Sequence, residues 1–288
     1  MPRYQYQIFI PGGNKTALVF GIGDLRTDPA RRKAIQDAII ARHEQDPDGE
    51  VEQVGFVSTD PKAPELLMAG GEFCGNATRT AAAYYLDGSG GALEITVSGA
   101  SEKLPAGGNE SGEIWAEMPL LEDLKTAITP VSELGYWVEM EGISHLVVPE
   151  LPAKPYLERI FASKNKEKRL EIALRLLEVA IAAHNLQAGD AYGVMFLENT
   201  PQGLKMHPFV HVKAADTTYY ETGCGSGTTC VGLLKSYLSG ESINMPILQP
   251  SDKAICAEIE RSPSGKAKGK ISGLVDRGEI YEIDVDMI

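Results

Sequence analysis

The stretch GGEFCGNATRTAAAYYL (Gly70–Leu86) places Cys74 between a glycine-rich turn and an alanine-rich run. A second stretch, ETGCGSGTTCVGLLKSYL (Glu221–Leu238), does the same with Cys224. Both read Cys-Gly-x-x-Thr before an apolar run, which predicts a cysteine at the first turn of a helix. Strand-like segments surround each of these helices. The sequence therefore predicts two strand-rich halves, each with one helix after its cysteine.

The composition is that of a globular protein with an acidic surface. The chain has 288 residues, enough for one large domain or two medium ones, and a net charge of −13. This charge disfavours a nucleic-acid partner, because phosphate binding needs a positive surface. No apolar run is long enough to span a membrane and the first residues do not resemble a signal peptide, so we expect a cytoplasmic protein with no membrane partner. The four cysteines are expected to be free thiols, with Cys230 and Cys256 in the core.

A domain boundary is expected near Thr129–Ser132, where the sequence reads TPVS. The N-terminal lobe would comprise residues 1–131 with Cys74. The C-terminal lobe would comprise residues 132–276 with Cys224. The last strand, about residues 277–288, is free in this scheme to return to the first lobe.

Two more helices and three turns are predicted outside the cysteine elements. The segment Pro29–Gln45 begins with proline, which suits a first helical turn. Its Ala34, Ile35, Ala38 and Ile39 share one helical face, and Ile40 falls outside it. A long helical stretch covers Asn165–Asn185. Turns are predicted at Pro11–Lys15, Ser262–Gly265 and Arg277–Gly278.

A cysteine at a helix N-terminus has a distinctive chemical environment. It lies near unpaired backbone N–H groups and the positive end of the helix dipole, which favour the thiolate and lower the thiol pKa. One such element alone is compatible with a nucleophile, a redox cysteine or a buried structural cysteine. Two elements on separate halves suit inversion at a carbon, where one group removes a proton and another delivers one to the opposite face. We therefore expect Cys74 and Cys224 to be the acid/base pair of an amino-acid racemase that needs no pyridoxal phosphate.

The motifs EFCGNAT and GCGSGT resemble the paired cysteine motifs of the diaminopimelate epimerase superfamily, which contains cofactor-independent racemases and epimerases. Within it the chain is most similar to the histidine racemases of staphylopine-type metallophore biosynthesis. The likeness extends over nearly the whole chain, at Gly13–Thr16, Glu52–Phe56, Glu72–Thr78, Val97–Gly99 and Cys224–Thr228. It implies an α/β (α+β) fold of two pseudo-symmetric lobes, each a mostly antiparallel sheet around a central helix, with the active site between them. Members of the family are often dimers, so a homodimer is compatible with the resemblance.

The resemblance also assigns site residues position by position. Cys74 and Cys224 would be the catalytic pair, with no cofactor and no metal ion. The remaining positions would bind the amino-acid substrate: Gly75, Asn76, Gly225 and Ser226 as donors to the carboxylate, Asn14 and Gln53 as pocket residues, Glu52 at the α-amino group or side chain, and His145 near the active site.

Several of these residues also have purely structural interpretations. Asn14 follows two glycines, so it is also a candidate turn residue with positive φ. Glu52 and Gln53 are equally compatible with solvated strand positions. His145 lies in an apolar strand and could be a core histidine.

The substrate is the least determined feature. Diaminopimelate epimerases carry a Glu-Arg pair before the second cysteine, whereas this chain reads KAADTTYYETGC with no arginine there, and Ile143–His145 replaces their Asn-Pro-His. A substrate with a second zwitterionic end is therefore disfavoured, and histidine is expected. The alternatives are diaminopimelate epimerisation, racemisation of another amino acid, a non-catalytic amino-acid-binding protein and a thiol-redox protein. A zinc pair at His207 and His211 is disfavoured because Pro208 separates them.

Overall fold

The computed structural model describes residues 3–47, 49–121, 123–213, 217–262 and 266–284. It divides into two compact units, Met1–Glu117 with Ser272–Ile288, and Met118–Ile271. Within the described residues, no helix has the length and apolar character needed to cross a membrane.

The first unit is a mixed sheet with two helices and a short 3₁₀ segment. Its elements in chain order are β1 (Arg3–Pro11), β2 (Lys15–Phe20), a 3₁₀ helix (Gly23–Thr27), α1 (Pro29–His43), β3 (Val51–Val57), β4 (Glu65–Met68), α2 (Gly75–Leu86), β5 (Gly91–Val97), β6 (Leu104–Gly108) and β7 (Glu113–Glu117). The seven strands lie side by side in chain order. The pairs β2–β3 and β4–β5 are parallel, and the other neighbouring pairs are antiparallel.

Helix α2 lies in the core of this unit. Its first nine residues, Gly75–Ala83, are all buried. A helix that is buried all round belongs to the interior, and the small side chains of its alanine run let strands β5, β6 and β7 pack closely against it. Helix α1 covers a separate apolar cluster, in which Ile35 and Ile39 pack with residues of β2 and β3 such as Val19 and Phe56.

The second unit has the larger helical content. Its elements are α3 (Leu124–Ala127), β8 (Ile128–Val131), β9 (Gly135–Met140), β10 (Ile143–Val148), α4 (Glu150–Ala162), α5 (Lys166–His184), β11 (Ala191–Thr200), β12 (Gly203–Val212), β13 (Thr217–Tyr220), α6 (Gly225–Ser239), β14 (Ile243–Leu248) and β15 (Ala254–Arg261). The strand order is β15-β14-β12-β11-β10-β9-β8, and β13 pairs with β12. The pairs β10–β11 and β12–β14 are parallel, and the others are antiparallel.

Helix α6 is the counterpart of α2. Its residues Gly225–Leu234 are buried without interruption, and it packs against β15, β14 and β9. Helices α4 and α5 contribute to another cluster of this unit, which includes Leu157, Leu177, Val194 and Phe196. Each unit therefore has a mostly antiparallel sheet and one core helix after its cysteine, which confirms the predicted fold class.

The sequence analysis assigned no element to residues 150–162, where the structure has helix α4 with proline at 152 and 155. Pro152 falls in the first helical turn, where proline is tolerated, but Pro155 lies inside the helix and removes one backbone hydrogen bond. The buried side chains of Ala153, Leu157 and Ile160 offset this loss by packing into the apolar cluster. Tertiary packing thus overrides the local signal.

The first unit ends at Glu117, whereas the sequence predicts a domain boundary between residues 131 and 132. Residues Ile128–Val131 pair antiparallel with Gly135–Met140, and Ser132 adopts a left-handed φ of 47° between them. The TPVS sequence is therefore part of a tight hairpin inside the second unit, and the first limit lies at Glu117/Met118. A hairpin turn and a domain linker share the same proline and serine signals.

The last described strand, β16 (Ala267–Asp284), also differs from expectation at Arg277–Gly278. Residues 272–284 belong to the first unit, and residues 275–284 among them pair antiparallel with β1. Phe9 lies opposite Arg277 and Gln7 opposite Ile280, so the expected turn is a bulge within one continuous strand. The turn expected at Ser262–Gly265 falls mainly on residues 263–265, which lie outside the described part of the chain, whereas the turn at Gly12 and Gly13 is present.

Candidate active site

Cys74 is the N-cap residue of α2. Its backbone is extended, with φ −138° and ψ 114°, and its Sγ accepts a hydrogen bond from the backbone N–H of Ala77 at 3.4 Å. The Thr78 hydroxyl donates back to the Cys74 carbonyl at 2.8 Å. The thiol therefore replaces the usual oxygen cap and remains at the positive end of the helix.

The strand β3 brings Gln53 to this thiol. The Cys74 Sγ donates to the Gln53 Oε1 at 2.9 Å. The pairing of β2 with β3 shifts register between Lys15 and Thr16, where Glu52 is the extra residue of a bulge. A bulge changes the direction in which side chains point, and here the consecutive residues Glu52 and Gln53 bond to Asn14 and Cys74 respectively.

Asn14 is the partner of Glu52. Its Nδ2 donates to the Glu52 Oε2 at 2.7 Å, and its Oδ1 accepts from the Thr16 hydroxyl at 3.0 Å. Asn14 is fully buried and is not among the described residues with positive φ. It is therefore a fixed hydrogen-bonding side chain rather than a left-handed turn residue. Glu52 and Gln53 are half-buried.

Cys224 repeats the geometry of Cys74 at the start of α6. Its φ is −124° and its ψ is 109°, and its Sγ accepts from the Gly227 N–H at 3.3 Å. The Thr228 hydroxyl donates to the Cys224 carbonyl at 2.7 Å. Two sites in different units thus share one local design, which the matching Cys-Gly-x-x-Thr sequences predict.

His145 and Ser226 form a hydrogen-bonded chain to this second thiol. His145 Nε2 lies 2.8 Å from Ser226 Oγ, which in turn lies 3.4 Å from Cys224 Sγ. His145 is fully buried, and burial lowers its pKa to about 3, so the ring is neutral. Its Nδ1 has no hydrogen-bond partner among the described residues. His145 is thus a core histidine that reaches the candidate site through Ser226.

The expected lowering of the thiol pKa is wrong for Cys224. Burial raises its pKa well above the usual value, and the nearby Glu221 carboxylate raises it further. The hydrogen bonds with Ser226 and with the Gly227 N–H lower the pKa but are outweighed. The raised pKa of Cys224 favours the protonated thiol at neutral pH.

Sequence reasoning missed Gln249. This side chain is fully buried, and its Oε1 accepts the Cys224 backbone N–H at 3.0 Å. Its Nε2 donates to the Thr228 hydroxyl at 3.1 Å and to the Ile247 carbonyl at 2.9 Å. Gln249 follows β14 and is 25 residues from Cys224, so no local pattern identifies it. Glu221 was also missed, although its position three residues before Cys224 offered a signal.

The structure groups the expected site residues by unit. In the first unit Gln53 contacts Cys74, Glu52 contacts Asn14, and Gly75 and Asn76 occupy the first turn of α2. In the second unit, the first turn of α6 contains Gly225 and Ser226, and His145 contacts Ser226. The four cysteines are free thiols. Cys230 is buried as expected, whereas Cys256 is only half-buried, so its expected place in the core is wrong.

The chain is similar to known histidine racemases in sequence. A family model described as the histidine racemase CntK N-terminal domain matches residues 11–281. A histidine racemase from Fusobacterium nucleatum subsp. nucleatum is 32% identical over 240 residues, which cover 79% of this chain and 80% of that protein.

Solved structures support the fold. A phenazine biosynthesis protein of the PhzF family from Bacillus anthracis aligns with a TM-score of 0.62 at 17% identity, covering 99% of this chain and 100% of that one. A hydroxyproline epimerase from Agrobacterium vitis aligns with a TM-score of 0.57 at 12% identity, covering 98% of this chain and 92% of that one. The family match confirms the resemblance identified from the sequence and the expected isomerase class. The chain therefore belongs to the family of the histidine racemase CntK N-terminal domain.

Proposed function

We propose that this protein racemises histidine without a cofactor, using Cys74 and Cys224 on opposite faces of the substrate Cα. The observation that carries the proposal is the repeated N-cap geometry, in which each Sγ accepts a backbone N–H at 3.3–3.4 Å. A nucleophilic mechanism needs one such thiol and a base, whereas inversion needs two comparable acid/base groups.

The proton transfers balance as follows. One cysteine, as thiolate, takes the proton from Cα, so the Cα–H bond breaks and an S–H bond forms. The other cysteine, as thiol, delivers its proton to the opposite face and becomes the thiolate. The raised pKa of Cys224, caused by burial and Glu221, supports a starting state with Cys224 as the thiol. Cys74 is then the base in that direction, and the roles reverse for the other enantiomer.

The substrate carboxylate is proposed to bind at the two helix N-termini. The first N–H groups of a helix have no acceptor within the helix, and the dipole favours an anion there. Gly75 and Asn76 supply these groups in α2, and Gly225 and Ser226 supply them in α6. Negative charge grows on the carboxylate as Cα loses its proton, so these donors stabilise the transition state more than the ground state.

The acidic and amide groups of the first unit are proposed to hold the rest of the substrate. Glu52 is anchored by the Asn14 amide at 2.7 Å, which fixes one carboxylate oxygen. A half-buried carboxylate suits an α-ammonium group or a protonated imidazole. Gln53 would complete the pocket next to Cys74.

The first test is a panel of L-amino acids in D₂O, with deuterium at Cα and formation of the D-enantiomer both measured. We expect exchange and racemisation with histidine and little with diaminopimelate. Cys74→Ser and Cys224→Ser should each lower the rate by about 10²–10⁴-fold, the usual contribution of a positioned acid or base. Cys230→Ser, on the same helix as Cys224 but outside the site, is the matched control and should remain active.

Other outcomes discriminate the rival functions. Binding without exchange for every ligand would indicate a non-catalytic binding protein, and activity that requires a reversible disulfide would indicate a redox protein. Preference for diaminopimelate or another amino acid would keep the mechanism and correct the substrate.

The remaining expectations concern location and assembly. We propose a cytoplasmic enzyme that acts on a small molecule and not on nucleic acid, in keeping with the net charge of −13. We also propose a homodimer, on the basis of the family resemblance. Light scattering on the purified protein measures its molar mass, and twice the chain mass of 31.1 kDa is the expected value.

A further inference from the structure

The hydroxyl group of Ser98 stabilises the turn that precedes Cys74. Strand β4 ends at Met68, and the chain then turns through two glycines to Glu72 and on to the cysteine. Ser98 Oγ accepts the Met68 backbone N–H at 2.9 Å and donates to the Glu72 carbonyl at 2.9 Å. A single hydroxyl therefore bridges the two ends of the turn.

The Gly99 backbone packs closely against the backbone of the same segment, at Glu72 and Phe73. Its φ is +75°, a conformation that side chains other than glycine rarely adopt. A Cβ on Gly99 would lie 2.3 Å from the Phe73 backbone nitrogen and 2.8 Å from the Glu72 carbonyl carbon. Any side chain there would displace the backbone directly before Cys74.

The Glu72 side chain fills the inside of the turn. A Cβ on Gly70 would lie 2.5 Å from Glu72 Oε2, so the carboxyl group lies against the Gly70 backbone. Burial raises the pKa of Glu72, although backbone hydrogen bonds from Glu72 and Gly70 oppose the shift. The turn is thus stabilised by the hydrogen bonds of Ser98, by the close packing of Gly99 against Phe73, and by the buried Glu72 side chain.

We propose that Ser98 and Gly99 are positioning residues that hold the Cys74 Sγ in line for proton transfer. The inference rests on the proposed function, because it matters only if Cys74 exchanges a proton with the substrate. It assigns a role to the Val97–Gly99 motif, which the sequence singled out without explaining. In the second unit a different residue fixes the backbone at the cysteine, because Gln249 Oε1 accepts a hydrogen bond from the Cys224 N–H.

The expected consequence is a loss of alignment without a loss of fold. A misplacement of about 1 Å in a catalytic group can cost about 10²-fold in rate. Without the Ser98 hydroxyl, both the Met68 N–H and the Glu72 carbonyl lose a partner and the turn loosens. The proposed carboxylate donors Gly75 and Asn76 belong to the buried first turn of α2, and Glu52 is held by Asn14, so these binding groups should stay in place. We therefore expect kcat to fall while KM changes little.

The test compares Ser98→Ala and Gly99→Ala with Ser111→Ala, in which an exposed hydroxyl bonded only locally to Asn109 is removed. The rate of alkylation by iodoacetamide is measured separately for Cys74 and for Cys256 by peptide mass spectrometry. Cys256 is half-buried in the second unit and reports general loosening. Steady-state kinetics with histidine give kcat and KM.

We expect Ser98→Ala to raise the Cys74 alkylation rate several-fold, to leave Cys256 unchanged, and to lower kcat by at least tenfold with KM within about twofold. Ser111→Ala should match the wild type. An unchanged Cys74 alkylation rate, or an equal rise at Cys74 and Cys256, would overturn the proposal. If Gly99→Ala does not fold, Ser98→Ala alone decides. The alkylation readout does not require turnover, so it tests the placement of Cys74 separately from the proposed racemisation. A kcat of Ser98→Ala equal to that of the wild type would overturn the role in proton transfer.

Discussion

A thiol at a helix N-terminus is subject to two opposing influences, and their magnitudes decide its charge. The helix dipole favours a nearby anion by about 0.3–2 kcal/mol. Full burial disfavours a charged group by up to about 3–5 pKa units, at about 1.4 kcal/mol for each unit. Burial therefore dominates at Cys224, and Glu221 adds to it, which explains the raised pKa. Sequence reasoning sees the helix terminus but not the depth at which it is buried.

His145 is governed by the same balance with the opposite sign of charge. Its ring is fully buried, and within the described residues its Nδ1 finds no acceptor that could stabilise a second proton. Burial consequently lowers its pKa to about 3. The unfolded chain binds a proton at this residue below about pH 6.5, whereas the folded protein does not do so until about pH 3.

The resulting prediction concerns stability against pH. Above pH 6.5 both states are neutral at His145 and nothing changes. As the pH falls below 6.5 the unfolded state is favoured, and this residue alone should reduce the free energy of unfolding by about 1.4 kcal/mol for each pH unit. His145→Gln removes the titrating group, so urea unfolding between pH 6 and pH 4 should show a shallower decline than the wild type.

The control for this experiment is His184→Gln. His184 is exposed at the end of α5, so its replacement should leave the pH dependence of the wild type in place. A His145→Gln protein that loses stability with pH as steeply as the wild type would contradict the assignment of a neutral buried ring.

At the scale of single elements, helix α6 shows how close packing fixes a reactive group. A Cβ on Gly227 would lie 2.3 Å from Met195 Sδ and 3.2 Å from Cys224 Sγ. A Cβ on Gly232, farther along the same helix, would lie 2.8 Å from the Ala257 Cβ and would not approach the thiol. Both glycines are buried, and only the first adjoins the candidate site.

This contrast yields a paired prediction. Gly227→Ala should displace Met195 Sδ and shift the adjoining Cys224 Sγ, and we expect kcat to fall by about tenfold. Gly232→Ala should lower the free energy of unfolding by about 1–3 kcal/mol through overpacking, with kcat within about twofold of the wild type. Thermal or urea unfolding and histidine kinetics on both variants measure the two effects. Equal kcat for the two variants would refute the claim that Gly227 sets the position of the thiol.

The same scale shows which elements a sequence pattern can predict. Helices α1, α2, α5 and α6 have clear start signals: Pro29 at the beginning of α1, an Asn165 cap on α5 and a cysteine cap on each of the others. Helix α4 has no side-chain cap at its start, and Pro155 inside it is unfavourable for a helix. The packing of its buried side chains stabilises the helix all the same. The bulge in β16 was mistaken for a turn, since a glycine after arginine is compatible with either and only the pairing with β1 distinguishes them.

At the scale of the whole molecule, the repeated Cys-Gly-x-x-Thr motif is the sequence feature that best predicts the fold. Two Cys-Gly-x-x-Thr stretches predict two units with one core helix each, and the structure has this organisation. The unit limits were not readable from the sequence, because TPVS lies in a hairpin and the single Pro119 just after the limit at Glu117/Met118 does not by itself indicate a boundary. Gln249 was likewise unreadable, since its contact with Cys224 depends on tertiary packing.

The central claim is that two cysteines act on opposite faces of one carbon, and isotope transfer in D₂O tests it directly. L-Histidine is incubated with the protein in D₂O, and the early D-histidine product and the remaining L-histidine are separated and analysed by mass spectrometry. The account predicts that the product carries deuterium at Cα while the remaining substrate does not, because the thiol that delivers the proton has exchanged with solvent. Product that retains the original hydrogen, or equal deuterium in both enantiomers from the start, would show a single base and contradict the account.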